Sequence, residues 1–252
     1  MKISVVSYLN TKPFLWGLHK SKLIHEISLT EDIPSICAAK LLSGEVDIGL
    51  VPVVVVPMMK EHYILSDYCI GADGPVSTVM LFSNSPLEKI NKIILDYQSK
   101  TSVRLLKILA EHFWKISPEW LDSKENYESE ISGETAGLVI GDRTFGLQNN
   151  FQFQYDLAAE WKKFTGLPFV FACWVSREKL SPEFTSEFNS ALKNGIESIP
   201  ELCSTLPNPD FSKHYLENHI SYSFDQRKKK AMTYFLEFES FIPDFTDSNP
   251  PL

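Results

Sequence analysis

The first twenty residues of the chain, MKISVVSYLNTKPFLWGLHK (1–20), decide the type of fold. Their β-branched run Ile3–Val6 predicts a short strand. A polar turn, Ser7–Thr11, follows, and Pro13 suits the first turn of a helix that runs to about Lys20. A strand that leads directly into a helix is typical of an α/β fold with parallel strands.

The same alternation continues downstream. The pattern predicts a helix over Pro34–Leu42, a strand over Asp47–Val51 and an apolar continuation over Val53–Val56. Further predicted strands are Val79–Phe82, Lys92–Leu95, Ala136–Ile140 and Phe169–Val175. Further predicted helices are Pro86–Ile90, Thr101–Phe113, Asp156–Phe164, Pro182–Ser198, Phe211–Asn218 and Asp225–Phe241, with a frayed tail from Pro243.

Two α/β halves followed by closing helices predict two lobes, of which the first is discontinuous. Residues 1–83 and 176–252 would form lobe 1, and residues 84–175 would form lobe 2. The hinge strands would then be Val79–Phe82 and Phe169–Val175. Because ligands of open α/β sheets bind beyond the carboxyl ends of the strands, we expect the site in the cleft between the lobes.

The composition is that of a globular protein, with 44% hydrophobic and 22% charged residues among 252. The net charge of −8 argues against nucleic acid as a partner, because phosphate binding needs a basic face. The opening MKISVV lacks the apolar core of a signal peptide, and no apolar run is long enough to span a membrane. We therefore expect a soluble, cytoplasmic protein without a membrane partner.

The cysteines and histidines do not form a metal-binding pattern. Four cysteines are scattered along the chain without a close pair, and two of them, Cys37 and Cys173, lie inside apolar patterns. Buried free thiols are therefore predicted, and no metal site is expected.

Four polar turns could carry the chemistry: Tyr8–Thr11, Asp73–Thr78, Gln98–Ser102 and Gly141–Thr144. Turns of this kind hold carboxylates well, because a helix N-terminus offers unpaired N–H groups and partial positive charge. The plainer alternative is that Asn10, Ser99 and Thr101 are ordinary helix N-caps.

Asp142 allows three interpretations: a catalytic carboxylate, a cap, or an ion-pair partner of Arg143. A structural role is favoured, because an aspartate beside an arginine tends to have a lowered pKa and is then a poor general base near neutrality. From the residues alone the chain is a two-lobed α/β protein that binds a small anion.

Several strings resemble the chorismate dehydratase family and cover most of residues 1–176. They are SYLNTKPFLWGL (7–18), LLSGEVDIGLVPV (41–53), DGPVSTVMLFS (73–83), LDYQSKTSVRLLKIL (95–109), IGDRTF (140–145) and DLAAEWKKFTGLPFVFACW (156–174). The resemblance implies a type II periplasmic-binding-protein-like fold. It also implies a lyase of the futalosine pathway of menaquinone biosynthesis, which converts chorismate to 3-[(1-carboxyvinyl)oxy]benzoate and water without a cofactor.

On this resemblance the expected catalytic residues are Asn10 and Thr78. The expected substrate-binding residues are Tyr8, Thr11, Ser77, Ser99, Thr101, Ser102 and Asp142. The hydroxyls of the Gln98–Ser102 turn would hold one carboxylate, and Thr78 would hold the other group from the facing lobe. The matched turns contain no histidine or glutamate, so the base would be the enolpyruvyl carboxylate of the substrate itself.

Other interpretations stay open. The fold is also that of non-catalytic small-anion solute-binding proteins, and of the sister enzyme 1,4-dihydroxy-6-naphthoate synthase. The sister enzyme has a Ser-Pro-Cys-Pro-Asn-Asp type of opening turn, whereas this chain has Ser7–Thr11. Thr78, Arg143 and Val53–Val56 depart from the family pattern and leave the lining of the pocket open. The oligomeric state is left open as well.

Overall fold

The computed structural model describes residues 1–240, which contain ten strands and eight α-helices. The strands are β1 (Lys2–Val6), β2 (Ser28–Asp32), β3 (Ile48–Pro52), β4 (Tyr63–Ala72), β5 (Val79–Ser83), β6 (Lys92–Leu95), β7 (Glu119–Asp122), β8 (Thr135–Ile140), β9 (Phe153–Asp156) and β10 (Phe169–Ser176). The helices are α1 (Lys12–Lys20), α2 (Pro34–Ser43), α3 (Lys100–Ile108), α4 (Leu157–Thr165), α5 (Pro182–Glu197), α6 (Ile199–Ser204), α7 (Pro209–Asn218) and α8 (Gln226–Ser240).

Two five-stranded sheets organise these elements. The first has the order β2-β1-β3-β10-β4, in which β1 runs parallel to β2 and β3 while β10 runs antiparallel to β3 and β4. The second has the order β7-β6-β8-β5-β9, in which β6 runs parallel to β7 and β8 while β5 runs antiparallel to β8 and β9. The architecture is the two-lobed α/β fold predicted from the sequence.

The strand pairing indicates lobe boundaries that differ from the predicted ones. The strand β5 is predicted to belong to lobe 1, but it pairs only within the second sheet. Residues of β10 up to 175 are predicted to belong to lobe 2, but this strand pairs only within the first sheet. The chain therefore crosses between the sheets over residues 73–78 and returns through α4 and residues 166–168. We propose that the lobes divide at these crossings rather than after residues 83 and 175.

Most predicted elements lie within a few residues of the observed ones, and the exceptions have physical reasons. The apolar continuation Val53–Val56 belongs to a 3₁₀-helix, Val53–Met58, since Pro52 ends the strand β3. The helix predicted over Thr101–Phe113 begins as α3 and ends in a π-helical turn, Leu109–Trp114. The ends predicted at Phe241 and Pro243 lie outside the described residues.

Helix packing closes the first lobe. Gly17 of α1 and Gly195 of α5 lie where the two helices cross, and a Cβ on Gly17 would collide with the carbonyl oxygen of Ala191. The backbones therefore approach one another directly. All four cysteines are buried and free, which confirms the prediction made for Cys37 and Cys173. Within residues 1–240, no helix combines the length and apolar character that a membrane crossing requires.

Candidate functional site

A cavity of about 50 Å³ lies between the two sheets. Its lining comes from both lobes and comprises Val6, Tyr8, Asn10, Thr11, Pro34, Pro52, Ile70, Val76, Thr78, Val79, Ser99, Ser102, Ile140, Gly141, Phe171 and Ala172. Six of the nine residues predicted for the site are among them, namely Tyr8, Asn10, Thr11, Thr78, Ser99 and Ser102. Three of the four polar turns thus place predicted site residues at one cavity, and the fourth contributes Gly141.

The N-terminus of α3 supplies the hydroxyls of the site. Ser99 is a true N-cap, because its Oγ accepts from the backbone N–H of Ser102 at 3.2 Å, and it also donates to the Ser102 hydroxyl at 2.9 Å. Thr101 is different. Its side chain is buried with 1% exposure, yet its hydroxyl has no hydrogen-bond partner. The capping interpretation is therefore correct for Ser99 and wrong for Thr101.

Asn10 lies on a 3₁₀ turn, Leu9–Thr11, that leads into α1, and it is 9% exposed. Neither this turn nor α1 is capped by a side chain, so Asn10 is not the N-cap that the plainer interpretation made it. Thr11 holds the turn, because its hydroxyl donates to the carbonyl oxygens of Val6 and Tyr8. The proton of Thr11 is thus committed to the backbone, whereas Asn10 lines the cavity.

Residues 73–78, which cross between the sheets before β5, place Thr78 in the cavity lining and Ser77 outside it. Asp156, the N-cap of α4, accepts from the backbone N–H groups of Val76 at 2.8 Å and Ser77 at 2.6 Å. These bonds hold Ser77 at a φ of 63°, in the left-handed region. The Ser77 hydroxyl consequently faces Nδ1 of His219, at 3.0 Å, and Ser77 does not line the cavity.

Asp142 acts across the junction of the lobes rather than in the cavity. Both of its carboxylate oxygens accept from the Leu9 N–H at 3.1 Å. The residue is exposed as a whole, but its carboxyl group is withdrawn from water at the junction, which raises its pKa. The expectation of an ion pair with Arg143 and a lowered pKa is wrong, because the two neighbouring side chains diverge.

Arg143 instead stabilises the turn that carries the hydroxyls. Its guanidinium pairs with Asp96 and, at 2.8 Å, with Glu128. The Asp96 side chain is fully buried and also accepts from the backbone N–H of Gln98 at 2.8 Å. This departure from the family pattern therefore lies behind the turn Gln98–Ser102 and outside the cavity lining.

The cavity is uncharged and mostly apolar, with a few polar side chains in its lining. None of the described residues that line the cavity is acidic or basic. The α3 N-terminus contributes partial positive charge. Burial raises the pKa of Tyr8, so its phenol stays protonated and donates to Oε1 of Gln98. Within residues 1–240, no cluster of histidine, cysteine or acidic side chains could hold a metal ion.

Gly141 allows the lobes to meet closely beside the cavity. It adopts a φ of +67°, and a Cβ at this position would lie 2.7 Å from ring atoms of Tyr8. The cavity is consequently much smaller than the roughly 300–1,000 Å³ of typical ligand pockets. A ligand that fills a pocket of typical size therefore requires the lobes to separate before it can enter.

Sequence reasoning missed four residues that build the site: Gln98, Asp156, Tyr215 and Tyr222. Gln98 is the first residue of a predicted polar turn and Asp156 is the first residue of a predicted helix, and these positions were the available signal. Tyr215 and Tyr222 come from the C-terminal helical region, where no motif pointed to them. Tyr215 Oη lies 2.8 Å from Thr78 Oγ1, and Tyr222 donates to the carbonyl oxygen of Asn10 at 2.9 Å.

Sequence comparison assigns the chain to a family. A family model described as menaquinone biosynthesis matches residues 1–240. A relative named chorismate dehydratase, from Thermus thermophilus, is 26% identical over 255 residues, which cover 91% of this chain and 92% of the relative.

Solved structures share the fold. AF1704 from Archaeoglobus fulgidus superposes with a TM-score of 0.73 at 15% identity and covers 95% of this chain and 96% of its own. The Candida albicans CA3427 product, described as having the generic periplasmic binding protein fold, gives 0.61 at 10% identity with 97% and 91% covered. The aliphatic sulphonate binding protein SsuA of Escherichia coli gives 0.57 at 14% identity with 97% and 88% covered. The periplasmic-binding-protein-like fold predicted for this chain is thereby confirmed.

Proposed function

This chain belongs to the menaquinone biosynthesis family, and we propose from that membership that it removes water from chorismate. The product would be 3-[(1-carboxyvinyl)oxy]benzoate, and the reaction would be that of a cofactor-independent hydro-lyase at the start of the futalosine route. The observation that carries the proposal is the cavity itself. Asn10 and Thr78 meet the hydroxyls of the α3 N-terminus there, among described lining residues that include no acid and no histidine.

The substrate needs local rather than long-range attraction. Chorismate carries a ring carboxylate and an enolpyruvyl carboxylate, and a chain with a net charge of −8 repels both at a distance. The hydroxyls of Ser99 and Ser102, the unpartnered hydroxyl of Thr101 and the dipole of α3 suit one carboxylate. Ser99 and Ser102 line the cavity, so we assign the ring carboxylate to this side of the cleft.

The chemistry needs an acceptor for one proton and support for one developing charge. The proton on the ether-bearing ring carbon is vinylogous to the ring carboxylate, so charge delocalises onto that carboxylate as the proton leaves. We assign the proton to the enolpyruvyl carboxylate of the substrate. The C–O bond to the neighbouring ring hydroxyl then breaks, the leaving oxygen takes up the proton, and water departs as the ring becomes aromatic.

The protein contributes positioning and preorganised donors. Asn10 would hold the reacting centre or the departing hydroxyl, and Thr78 would hold the enolpyruvyl group from the facing side of the cavity. Each such donor is worth about 3–4 kcal/mol of transition-state stabilisation. Positioning also has to hold the enolpyruvyl arm away from the geometry of the competing rearrangement to prephenate.

A second function has support from the fold. The likeness to the sulphonate binding protein favours a binder of small anions without turnover. The uncharged cavity, with the hydroxyls of Ser99 and Ser102 in its lining, suits an anion in either case. The sister 1,4-dihydroxy-6-naphthoate synthase remains a third candidate, disfavoured by the opening turn Ser7–Thr11.

The proposal is tested by incubating the purified protein with chorismate alone. Loss of the diene absorbance is followed, and the product is identified by mass. A product one water lighter than chorismate supports the dehydratase. A product of unchanged mass would indicate rearrangement, and binding without any change of mass or absorbance would support the solute-binding function.

A further inference from the structure

Two buried tyrosines from the C-terminal region reach the residues of the cavity from behind. Tyr215 on α7 is 2% exposed and Tyr222 is 6% exposed. The Tyr215 hydroxyl lies 2.8 Å from Thr78 Oγ1. Neither tyrosine lines the cavity, so each can act on a ligand only through the residues that do.

Tyr215 contacts the proposed catalytic residue Thr78 with its hydroxyl. Burial raises the pKa of this phenol, which therefore keeps its proton. Tyr222 fixes the backbone of the Leu9–Thr11 turn, because it donates to the Asn10 carbonyl oxygen at 2.9 Å.

The ring of Tyr215 is held firmly in place. Phe145, on the 3₁₀ turn after β8 in the second lobe, packs edge-on against it with the ring centroids 5.2 Å apart. His219 stacks on it at 6.1 Å. Packing from both lobes thus holds the ring that carries the hydroxyl.

Either hydroxyl can donate in the bond between Tyr215 and Thr78, and the direction decides where the proton of Thr78 points. A threonine hydroxyl has one proton and two acceptor sites. The only other contact of Thr78 Oγ1 in the described structure is the Val76 carbonyl oxygen, at a long 3.4 Å. If the Tyr215 phenol donates to Thr78, the single proton of Thr78 is left to point into the cavity.

We propose that Tyr215 is a positioning residue, which donates to the Thr78 hydroxyl and so orients the proton of Thr78 toward the ligand. The proposal rests on the proposed function for its kinetic consequences. Because Tyr215 belongs to α7 and Thr78 to the crossing into the second lobe, the arrangement is complete only when the lobes meet around the cavity. The C-terminal helices thereby complete the site although none of their described residues lines the cavity.

The test is Tyr215→Phe, which removes the hydroxyl and keeps the ring. We expect kcat for chorismate to fall roughly 10- to 100-fold while KM changes less than about threefold, since a misoriented donor weakens the transition state more than substrate binding. Tyr68→Phe, at a half-buried tyrosine of β4, is the control and should match the unsubstituted protein. An unchanged kcat, or a loss confined to KM, would overturn the proposal.

A double-mutant cycle separates positioning from general stability. If Tyr215 acts through Thr78, the combination of Tyr215→Phe with Thr78→Val should be no more than about twofold slower than Thr78→Val alone. Fully additive losses would contradict the proposal. Should Tyr215→Phe fail to fold, 3-fluorotyrosine at position 215, which retains the hydroxyl but alters its donor strength, should change kcat and not KM, and an unchanged kcat would overturn the proposal.

Failure of the function and failure of the inference give different results. If the unsubstituted protein does not dehydrate chorismate, the proposed function has failed. The inference is then decided by crystal structures of the unsubstituted protein and of Tyr215→Phe. A changed rotamer of Thr78 in the variant would support it, and an identical rotamer would overturn it. If the protein does turn over chorismate and Tyr215→Phe keeps its kcat, the inference alone has failed.

Discussion

The hydroxyl of Tyr8, on the turn after β1, donates to Oε1 of Gln98, on the turn before α3, and so links the two lobes beside the cavity. The backbone N–H of Ser35 reaches the carbonyl oxygen of the same glutamine at 3.1 Å. These two bonds hold the cleft closed, and ligand entry has to break or stretch them.

Tyr8→Phe should therefore loosen the closed arrangement. We expect a larger radius of gyration in small-angle X-ray scattering of the free protein, and a KM about fivefold higher, which corresponds to roughly 1 kcal/mol for one hydrogen bond. The matched control is Tyr97→Phe, which removes a 2.8 Å bond to the same Gln98 from within the second lobe. An equal increase of the radius in both variants would contradict a link between the lobes.

Thr101→Val should separate ligand binding from stability. The Thr101 hydroxyl is buried without a partner, so its replacement by a methyl group should leave the free energy of unfolding unchanged or raise it by about 1 kcal/mol. If the hydroxyl binds a carboxylate, KM for chorismate should rise roughly tenfold or more. Thr101→Ser, which keeps the hydroxyl, should retain the KM. A KM that stays constant in Thr101→Val would remove this residue from the site.

Gly17→Ala should strongly destabilise the first lobe. The new Cβ would collide with the Ala191 carbonyl oxygen, which belongs to the backbone of α5 and cannot rotate away. We expect a loss of about 3 kcal/mol in the free energy of unfolding, measured with urea. Gly146→Ala, whose Cβ would meet no atom within 4 Å, should stay within about 0.5 kcal/mol of the unsubstituted protein. Equal stabilities for the two variants would refute the close helix crossing.

The buried thiols should make stability fall in alkali. Burial raises the pKa of Cys173 from 9.0 to about 12. The stabilisation is thus fully present below pH 9 and is lost as the pH rises toward 12, by about 1.4 kcal/mol per pH unit in that window. Cys173→Ala should lower stability at pH 7 but should flatten the decline between about pH 9 and pH 10.5. Parallel curves of the free energy of unfolding against pH for both proteins would contradict the burial of this thiol in its protonated form.

The sequence predicts most of the strands that have a local apolar pattern, although it misses β4, of which six residues are buried. The strands β3, β5, β6, β8 and β10 all have a buried apolar run, and their predicted bounds lie close to the observed ones. By contrast β2, with the sequence SLTED (28–32), lies at the edge of its sheet and is mostly polar and partly exposed, so no apolar alternation marks it.

The site residues show the same difference between local patterns, which the sequence reveals, and contacts between distant segments, which it does not. The turns at Asn10, Thr78 and Ser99 follow strands or precede helices, and the rule that ligands bind at the strand ends brings them together. Tyr215 could not be predicted, because its contact with Thr78 joins positions 137 residues apart and depends on how the C-terminal helices pack. The predicted partner of Arg143 is wrong for a similar reason, since adjacency in sequence does not make two side chains face one another.

The most direct test of the account compares Asn10→Ala with the unsubstituted protein in turnover of chorismate, with the product identified by mass. The account predicts that the unsubstituted protein forms a product one water lighter. It also predicts that Asn10→Ala loses roughly 100- to 1,000-fold in kcat, as for removal of one preorganised donor, while Asn149→Ala, at an exposed position, does not. Undiminished turnover in Asn10→Ala would show that this asparagine is not part of the catalytic site, and the absence of the dehydrated product from the unsubstituted protein would contradict the proposed reaction itself.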